Sequence, residues 1–173
     1  MKKVFLILAF TLGCTAMQAQ WGIKGGFNFA NLRGDYTDDL NVLTAWHLGL
    51  VYEAQIASGF SIQPELLYSV QGAKLRDTEF KLNYFSVPLM LKLYPTDGFN
   101  IQIGPQVGML VSESDNFTPF KSETFDFGIA AGLEFFVTDG FFIQARYYAG
   151  GKDVSSNTDL KNTVVSASLG YMF

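Results

Sequence analysis

Hydrophobic and polar residues alternate over long stretches of this chain. Between Phe60 and Val70 the even-numbered residues are mostly large and apolar, whereas the odd-numbered ones are mostly Ser, Gln and Glu. The same alternation recurs in residues 85–93, 99–107 and 125–135. A period of two residues is typical of β-strands with one apolar and one polar face, so the pattern predicts an all-β fold.

Continued along the chain, the alternation predicts eight strands whose connections alternate between tight turns and longer polar loops. This order is typical of an up-and-down antiparallel sheet, in which each strand pairs with the next one along the chain. Most of the strands are long enough to cross a bilayer at a tilt, which takes about 9–11 residues. The predicted strands are 21–31, 44–56, 60–72, 82–94, 98–111, 123–137, 141–150 and 162–173, the tight turns are 57–59, 95–97 and 138–140, and the loops lie near 32–43, 73–81, 112–122 and 151–161.

An internal repeat follows each of the three tight turns. The sequence Gly-Phe-x-Ile-Gln occurs at 59–63, 98–102 and 140–144. Gly is suited to a short hairpin loop because it can adopt left-handed backbone angles. We expect the Phe to lie at a membrane edge, the Ile to face lipid and the Gln to point inward. Each repeat therefore marks the start of one hairpin.

Three architectures fit such strands: a soluble β-sandwich, a lipocalin-like barrel with an apolar interior, and a membrane barrel with an apolar exterior. Hydrophobic residues make up 49% of the chain and charged residues 16%, and the less apolar strand face holds mostly Gly, Ser, Gln and Asn. A face that met water would carry more Lys, Glu and Asp, whereas small and amide side chains fit a narrow barrel interior. Only helices and closed barrels satisfy every backbone group in lipid. The sequence therefore predicts an eight-stranded antiparallel up-and-down transmembrane β-barrel.

The N-terminus has the pattern of a secretory signal peptide. Lys2 and Lys3 precede a nine-residue apolar run at 4–12, which is too short to span a membrane as a helix, and small and polar residues follow. We expect residues 1–19 to be the signal peptide and residues 20–173 the barrel domain, although cleavage after Ala16 is an alternative. Cys14 would be removed with the signal peptide. The alternative that Cys14 is the lipid-accepting Cys of a lipoprotein is disfavoured, because Thr11 stands where such motifs usually carry Leu.

Export and the barrel pattern together predict a protein of the bacterial outer membrane. Both termini and the tight turns are expected in the periplasm, and the long loops outside the cell. The last strand alternates up to Phe173, and a terminal Phe resembles the signal by which barrel-insertion machinery recognises its substrates. The expected partners are that machinery and outer-membrane lipid. The net charge of −4 and the absence of a basic block argue against a nucleic-acid partner.

Three segments carry a resemblance to a known family. They are GIKGGFNFANL at 22–32, PELLYSVQGAK at 64–74 and YFSVPLMLKLY at 84–94. With them the mature chain resembles the PorT-like outer-membrane β-barrel proteins of Bacteroidetes, a family of porin-like, OmpX-sized barrels. The resemblance implies the fold and the location. It does not imply a specific part in secretion, because the shared motifs reflect barrel geometry rather than an active site.

The inward faces of the predicted strands carry three acids and three bases in the half next to the tight turns. Buried charges must be compensated, and eight-stranded barrels are filled by their side chains, so these residues predict a lumen plugged by charge pairs. A narrow solute channel is the alternative. Neighbouring strands offer the pairs Lys24 with Glu53, Glu65 with Lys92, and Glu134 with Arg146.

A catalytic role is the second alternative, because some small outer-membrane barrels modify lipids. Such chemistry needs a base beside a nucleophile. His47 is the only His, it has no Ser two residues further on, and a lone His is more often packed or solvated than catalytic. One His and a Cys-free mature chain also exclude a Cys-rich or His-rich metal site. We expect neither enzymatic activity nor a cofactor.

Binding through the long loops is the third possibility. Arg33, Gly34 and Asp35 spell a tripeptide that some host adhesion receptors bind, in a segment predicted to be an exposed loop. Further loop acids lack the spacing of a calcium-binding loop, so solvated surface is expected there. The sequence names no extracellular ligand. It favours a structural or surface-interaction role for the barrel.

Overall fold

The computed structural model describes residues 19–34, 40–76, 78–114, 123–155 and 158–173. No helix in these ranges is long and apolar enough to cross a membrane. The described residues form nine β-strands: β1 Ala19–Gly34, β2 Leu40–Asn41, β3 Leu43–Ala57, β4 Phe60–Leu75, β5 Thr78–Thr96, β6 Phe99–Glu113, β7 Phe125–Phe136, β8 Phe141–Ser155 and β9 Thr158–Met172. Only Val42 separates the short β2 from β3, so these two strands together occupy one of eight positions around the sheet.

The sheet closes on itself. Each long strand pairs with the next one in antiparallel orientation, and β1 pairs with β9 over an unbroken register from Gly22 opposite Met172 to Gly34 opposite Leu160. Closure pairs the backbone groups that would otherwise form two open sheet edges. The predicted eight-stranded antiparallel up-and-down barrel is confirmed.

The strands extend further than predicted at the end where the longer loops lie, which we call the long-loop end. Strand β5 begins at Thr78 rather than 82, and β8 continues to Ser155 rather than 150. Antiparallel pairing continues after the apolar alternation has stopped, for example where Lys74 lies opposite Glu79. Much of the segments 73–81 and 151–161 is therefore strand and not loop. Hydropathy marks only the part of a strand that contacts lipid, which is why the predicted ends were too short.

The internal repeat has a structural role at the opposite end, which we call the tight-turn end. The carbonyls of Gly59, Gly98 and Gly140 each accept an amide hydrogen from the adjoining strand, donated by Tyr94, Phe136 and Met172 at 2.8–2.9 Å. Of the three glycines, only Gly59 has a left-handed backbone, with φ of 74°. The expected conformational reason therefore holds at one repeat. At Gly140 the reason is close approach, because an added Cβ would lie against the Met172 carbonyl and the Tyr171 ring.

Side-chain polarity is inverted relative to a water-soluble barrel. The large exposed side chains of the wall are apolar, and Ile103 and Ile129 expose 55% and 59% of their surface. The buried set instead includes Asn, Gln, Ser, Lys, Glu and Arg side chains that project into the lumen. Since so much exposed apolar surface would be unstable in water, this arrangement is suited to lipid outside and to hydrogen bonding inside.

Apolar clusters fill the remaining lumen around the polar side chains. Near the tight-turn end Val51, Phe142 and Met172 pack together, and the Phe142 ring lies so close to Gly170 that a Cβ there would clash with it. Other buried apolar residues pack in three further groups, one of which lies near the long-loop end. These groups are Ala30, Met90, Ala130, Tyr148 and Val164; Leu32, Ala73, Leu82, Tyr84 and Val154; and Leu43, Ala45 and Val70. The charged side chains described next therefore lie in a packed interior.

Candidate functional site

The six lumen charges lie on six different strands and project into one shared space. Four of them, Lys24, Glu65, Lys92 and Glu134, are at most 3% exposed, and Arg146 is 6% exposed. Period-two alternation places each of them on the inward face of its strand. The charges are Lys24 on β1, Glu53 on β3, Glu65 on β4, Lys92 on β5, Glu134 on β7 and Arg146 on β8.

Glu65 is the centre of the first group of charges. Arg146 donates to both of its carboxylate oxygens at 2.7 Å, one from each terminal guanidinium nitrogen. The Lys24 Nζ lies 2.8 Å from Oε2 of the same carboxylate. Strand β4 faces β8 across the barrel, four positions away around the ring, so the bidentate pair joins opposite walls. Charge-assisted bidentate contacts of this kind are among the strongest hydrogen bonds in proteins.

Lys92 is the centre of the second group, which lies closer to the tight-turn end. Its Nζ donates to Glu134 Oε1 at 2.6 Å, and to Glu53 Oε2 and Gln63 Oε1 at 2.7 Å. The Tyr94 hydroxyl donates to the other oxygen of Glu53 at 2.6 Å. All three donor positions of the ammonium group are therefore used, and two carboxylates share one cation.

Two glutamines connect the groups into one network. Gln144 accepts from Lys24 at 3.0 Å and donates to Glu134 at 2.7 Å, and Gln63 donates to Glu65 at 2.7 Å. The first group has two cations and one carboxylate, and the second has one cation and two carboxylates. The formal charge of the whole network is therefore zero, which satisfies the requirement that buried charges be compensated.

The partners within this network differ from the pairs expected between neighbouring strands. The structure joins Lys24 to Glu65, Arg146 to Glu65, and Lys92 to both Glu53 and Glu134. The prediction of Lys24 with Glu53, Glu65 with Lys92, and Glu134 with Arg146 was wrong.

Strand register explains the error. Lys24 lies opposite Gly49, and Glu53 lies opposite Gln20, four residues further along the strand. Arg146 likewise lies opposite Gly132 rather than Glu134. Inward side chains on neighbouring strands do not meet when they lie at different heights along the barrel axis. Long side chains on non-adjacent strands can meet in the centre of a narrow lumen. Every ion pair in the network accordingly joins strands that are not neighbours.

A seventh inward charge was missed in the sequence. Asp126 on β7 is 4% exposed, and its Oδ2 accepts a hydrogen bond from the Asn162 side chain at 2.8 Å. The Asn162 amide also lies 3.4 Å from the Tyr84 hydroxyl. The alternation of residues 125–135 had marked this position as inward, so the signal was present. It lies nearer the long-loop end, apart from the ion-paired groups.

His47 belongs to a buried hydrogen-bonded set that the sequence did not predict. Its Nε2 lies 2.8 Å from Ser168 Oγ, and its Nδ1 lies 2.8 Å from Asn28 Oδ1. Because Asn28 Oδ1 can only accept, His47 donates from Nδ1, and in the neutral ring Nε2 then accepts the Ser168 hydroxyl hydrogen. This order of nucleophile, base and orienting amide matches the logic of hydrolytic triads. Ser168 is 121 residues away in the chain, which is why local spacing gave no signal.

The space around this set is too small for a substrate. A cavity of about 20 Å³ lies beside His47, Ser168, Lys24 and Arg146. That volume is comparable to the space taken by one or two water molecules. Larger cavities of about 370 and 460 Å³ open at the tight-turn end and reach inward as far as Glu53 and Tyr94.

The remaining candidate residues that the structure describes lie at the barrel ends. Arg33 and Gly34 were expected in an exposed loop. They are instead the last residues of β1, where they pair with Lys161 and Leu160. Asp35, the residues of the predicted signal peptide before Ala19 and most of the loop acids lie outside the described residues. Phe173 is 71% exposed, and its amide donates to the Trp21 carbonyl at 2.7 Å. In the described ranges, no group of three or more His, Cys, Asp and Glu side chains could hold a metal ion.

Comparison with known proteins supports the architecture. A family model described as an outer membrane protein beta-barrel domain matches residues 16–154. No curated protein sequence matches the chain. Among solved structures, the attachment invasion locus protein Ail of Yersinia pestis is 14% identical with a TM-score of 0.58, and Neisserial surface protein A is 15% identical with a TM-score of 0.59. Each match covers 90% of this chain and 99% of the other. At such identities the likeness shows a shared fold.

The network predicts unequal effects for two conservative substitutions. Glu65→Gln would leave Lys24 and Arg146 buried without a carboxylate, and we expect it to lower the free energy of unfolding by about 3–5 kcal/mol. Glu53→Gln should have a smaller effect, because Glu53 is 13% exposed beside the opening and Lys92 keeps Glu134. Urea titration of the barrel in lipid vesicles measures both values. Equal destabilisation by the two substitutions would contradict the central position of Glu65.

Proposed function

Because the chain belongs to the outer membrane protein β-barrel domain family, we propose that it acts as a small outer-membrane barrel with a structural or surface-interaction role. The observation that carries this proposal is the filled lumen. Opposite walls are joined through Glu65 and Arg146, and apolar side chains pack around the polar network. With its interior occupied, the barrel offers its wall and its long-loop end to other molecules.

A narrow solute channel is the second candidate. The two cavities at the tight-turn end favour it, since they provide an entrance to the lumen. Beyond Glu53 and Tyr94, however, Lys92 is fully buried and donates to three acceptors at once. A solute would have to separate these contacts, so the closed barrel is better supported.

We further propose that the tight turns and both termini face the periplasm and that the longer loops face the outside. The last described strand ends beside the first, because the Phe173 amide donates to the Trp21 carbonyl at the tight-turn end. An exported chain that begins after a signal peptide over residues 1–19 would start in the periplasm. The exposed terminal Phe173 would be presented there to the barrel-insertion machinery.

Within the family, we propose that the chain is related to the PorT-like, porin-family barrels of Bacteroidetes. The proposal is based on the three segments 22–32, 64–74 and 84–94. They lie on β1, on β4 and on β5, where their inward residues include Lys24, Glu65 and Lys92. The segments that carry the resemblance therefore also carry half of the lumen charges.

Catalysis is not part of the proposed role. His47 and Ser168 are 4% and 5% exposed, and the cavity beside them is about 20 Å³. A hydrolase needs its nucleophile open to a substrate, in addition to a base in hydrogen-bond reach. The hydrogen bonds of His47 instead connect β1, β3 and β9, which suits a packing role.

The proposed orientation predicts opposite labelling of two cysteine variants. Thr78 and Ser58 are exposed hydroxyl residues at the long-loop and tight-turn ends, and residues 20–173 contain no Cys. In intact cells, a membrane-impermeant maleimide should label Thr78→Cys and leave Ser58→Cys unlabelled until the outer membrane is disrupted. The unsubstituted protein gives the background. Labelling of Ser58→Cys alone in intact cells would contradict the orientation.

The packing role of His47 predicts that Ser168 does not react with a serine-hydrolase probe. A fluorophosphonate should give the same signal with the folded barrel and with Ser168→Ala, because the hydroxyl is buried. The phospholipid and lipid A composition of membranes that contain the barrel should likewise be the same for the unsubstituted protein and for His47→Ala. Labelling that disappears in Ser168→Ala, or lipid modification that disappears in His47→Ala, would show an enzyme.

A further inference from the structure

Two cations lie side by side on the outer wall at the long-loop end. Arg33 on β1 is directly opposite Lys161 on β9, in the unbroken register that closes the barrel. Both side chains are exposed, whereas their neighbours Leu32 and Asn162 are buried in the lumen. Residues directly opposite on one face of an antiparallel pair have Cβ atoms about 4.5–5.5 Å apart. The guanidinium and the ammonium group can therefore reach the same small anion.

This pair differs from two other surface cations of the barrel, which have acidic partners. Lys81 is paired with Glu79 at 2.6 Å, and Lys152 is paired with Glu123 at 2.9 Å. Among the described residues, neither Arg33 nor Lys161 forms an ion pair. On the side of β9 away from β1, Lys161 lies opposite Asp153 of β8. Asp153 forms no ion pair in the described ranges, and its Oδ1 is buried. Like charges placed directly opposite destabilise a sheet unless a counter-charge binds them.

The pair lies just above the apolar belt of the wall. On the same outward face, Phe29 is opposite Val165 and both are exposed, and Asn31 is opposite Thr163 two residues further on. Arg33 and Lys161 follow after another two residues. Four residues of a tilted strand rise roughly 10 Å along the barrel axis. Since long basic side chains extend back towards the membrane surface, their charged ends fall at the height of lipid headgroups.

From this placement we propose that Arg33 and Lys161 bind the phosphate group of an outer-leaflet lipid headgroup. The guanidinium provides a planar fork of donors for two phosphate oxygens, and the ammonium provides a second positive charge on the same group. The acyl chains of that lipid would lie against the apolar surface below, beside Phe29 and Val165. The choice of leaflet rests on the proposed orientation of the barrel, whereas the phosphate contact rests on the register and the charges.

Native mass spectrometry of the purified barrel in detergent tests the phosphate contact. The probes are bisphosphorylated lipid A, the same glycolipid without phosphates, and inorganic phosphate. We expect the barrel to retain one phosphorylated glycolipid, and Arg33→Gln with Lys161→Gln to weaken its binding by roughly tenfold or more, because each basic residue near a membrane surface contributes about 1 kcal/mol. The matched control is Lys81→Gln with Lys152→Gln, which also removes two exposed cations and should leave the binding unchanged.

Three outcomes would overturn the proposal: equal binding by the Arg33 and Lys161 variant, equal retention of the glycolipid without phosphates, or retention of inorganic phosphate as tightly as the lipid. Heat-dependent gel mobility shows that each variant is folded, so lost binding is not lost structure. Since binding in detergent does not depend on orientation in the cell, the cysteine labelling separates the two proposals. Reversed labelling with intact phosphate-dependent binding would remove the assignment to the outer leaflet and leave the contact in place.

Discussion

The carboxylate of Glu65 binds two cations from two other strands, and the other lumen charges compensate the charge of this group. A buried carboxylate needs positive partners, and Arg146 and Lys24 supply one charge more than Glu65 balances. The second group, in which Lys92 serves Glu53 and Glu134, supplies the missing negative charge, and Gln144 connects the two. Because every ion pair skips at least one strand, the network acts across the barrel. The backbone ladder, by contrast, holds each strand only to its neighbours.

The outer wall has the opposite requirement, because its side chains must be apolar. Lipid accepts apolar side chains without cost and offers no hydrogen bonds, so the wall needs a closed ladder and apolar residues such as Ile103 and Ile129. The barrel is polar where a soluble barrel is apolar, and its charges are concentrated in the lumen and at the long-loop end. Both the filled lumen and the cation pair of Arg33 and Lys161 follow from this division. The first supports the proposed surface role, and the second is the basis of the proposed contact with a lipid phosphate.

Alternation along the chain was sufficient to predict the eight strands and the inward position of the six lumen charges, because these depend on a period of two residues. The closed barrel also required the low charge of the inward face and the rule that a sheet in lipid must satisfy every backbone group. Alternation was not sufficient to predict which charges pair. Partners such as Glu65 and Arg146 meet across the barrel, and their heights depend on register, which a single sequence does not show. The contact of His47 with Ser168 was missed for the same reason, and the strand ends beyond residues 72 and 150 were missed because pairing there no longer has an apolar face.

Single-channel recording in planar bilayers tests the closed lumen most directly. The purified barrel, with its folding verified by heat-dependent gel mobility, is inserted and held at a range of voltages in concentrated salt. We expect no steady conductance, because Glu65 with Arg146 and Lys92 with its three acceptors occupy the path and compensate one another. Reproducible ohmic steps from the unsubstituted protein would show an open path through the lumen. They would contradict a barrel that acts only through its surface.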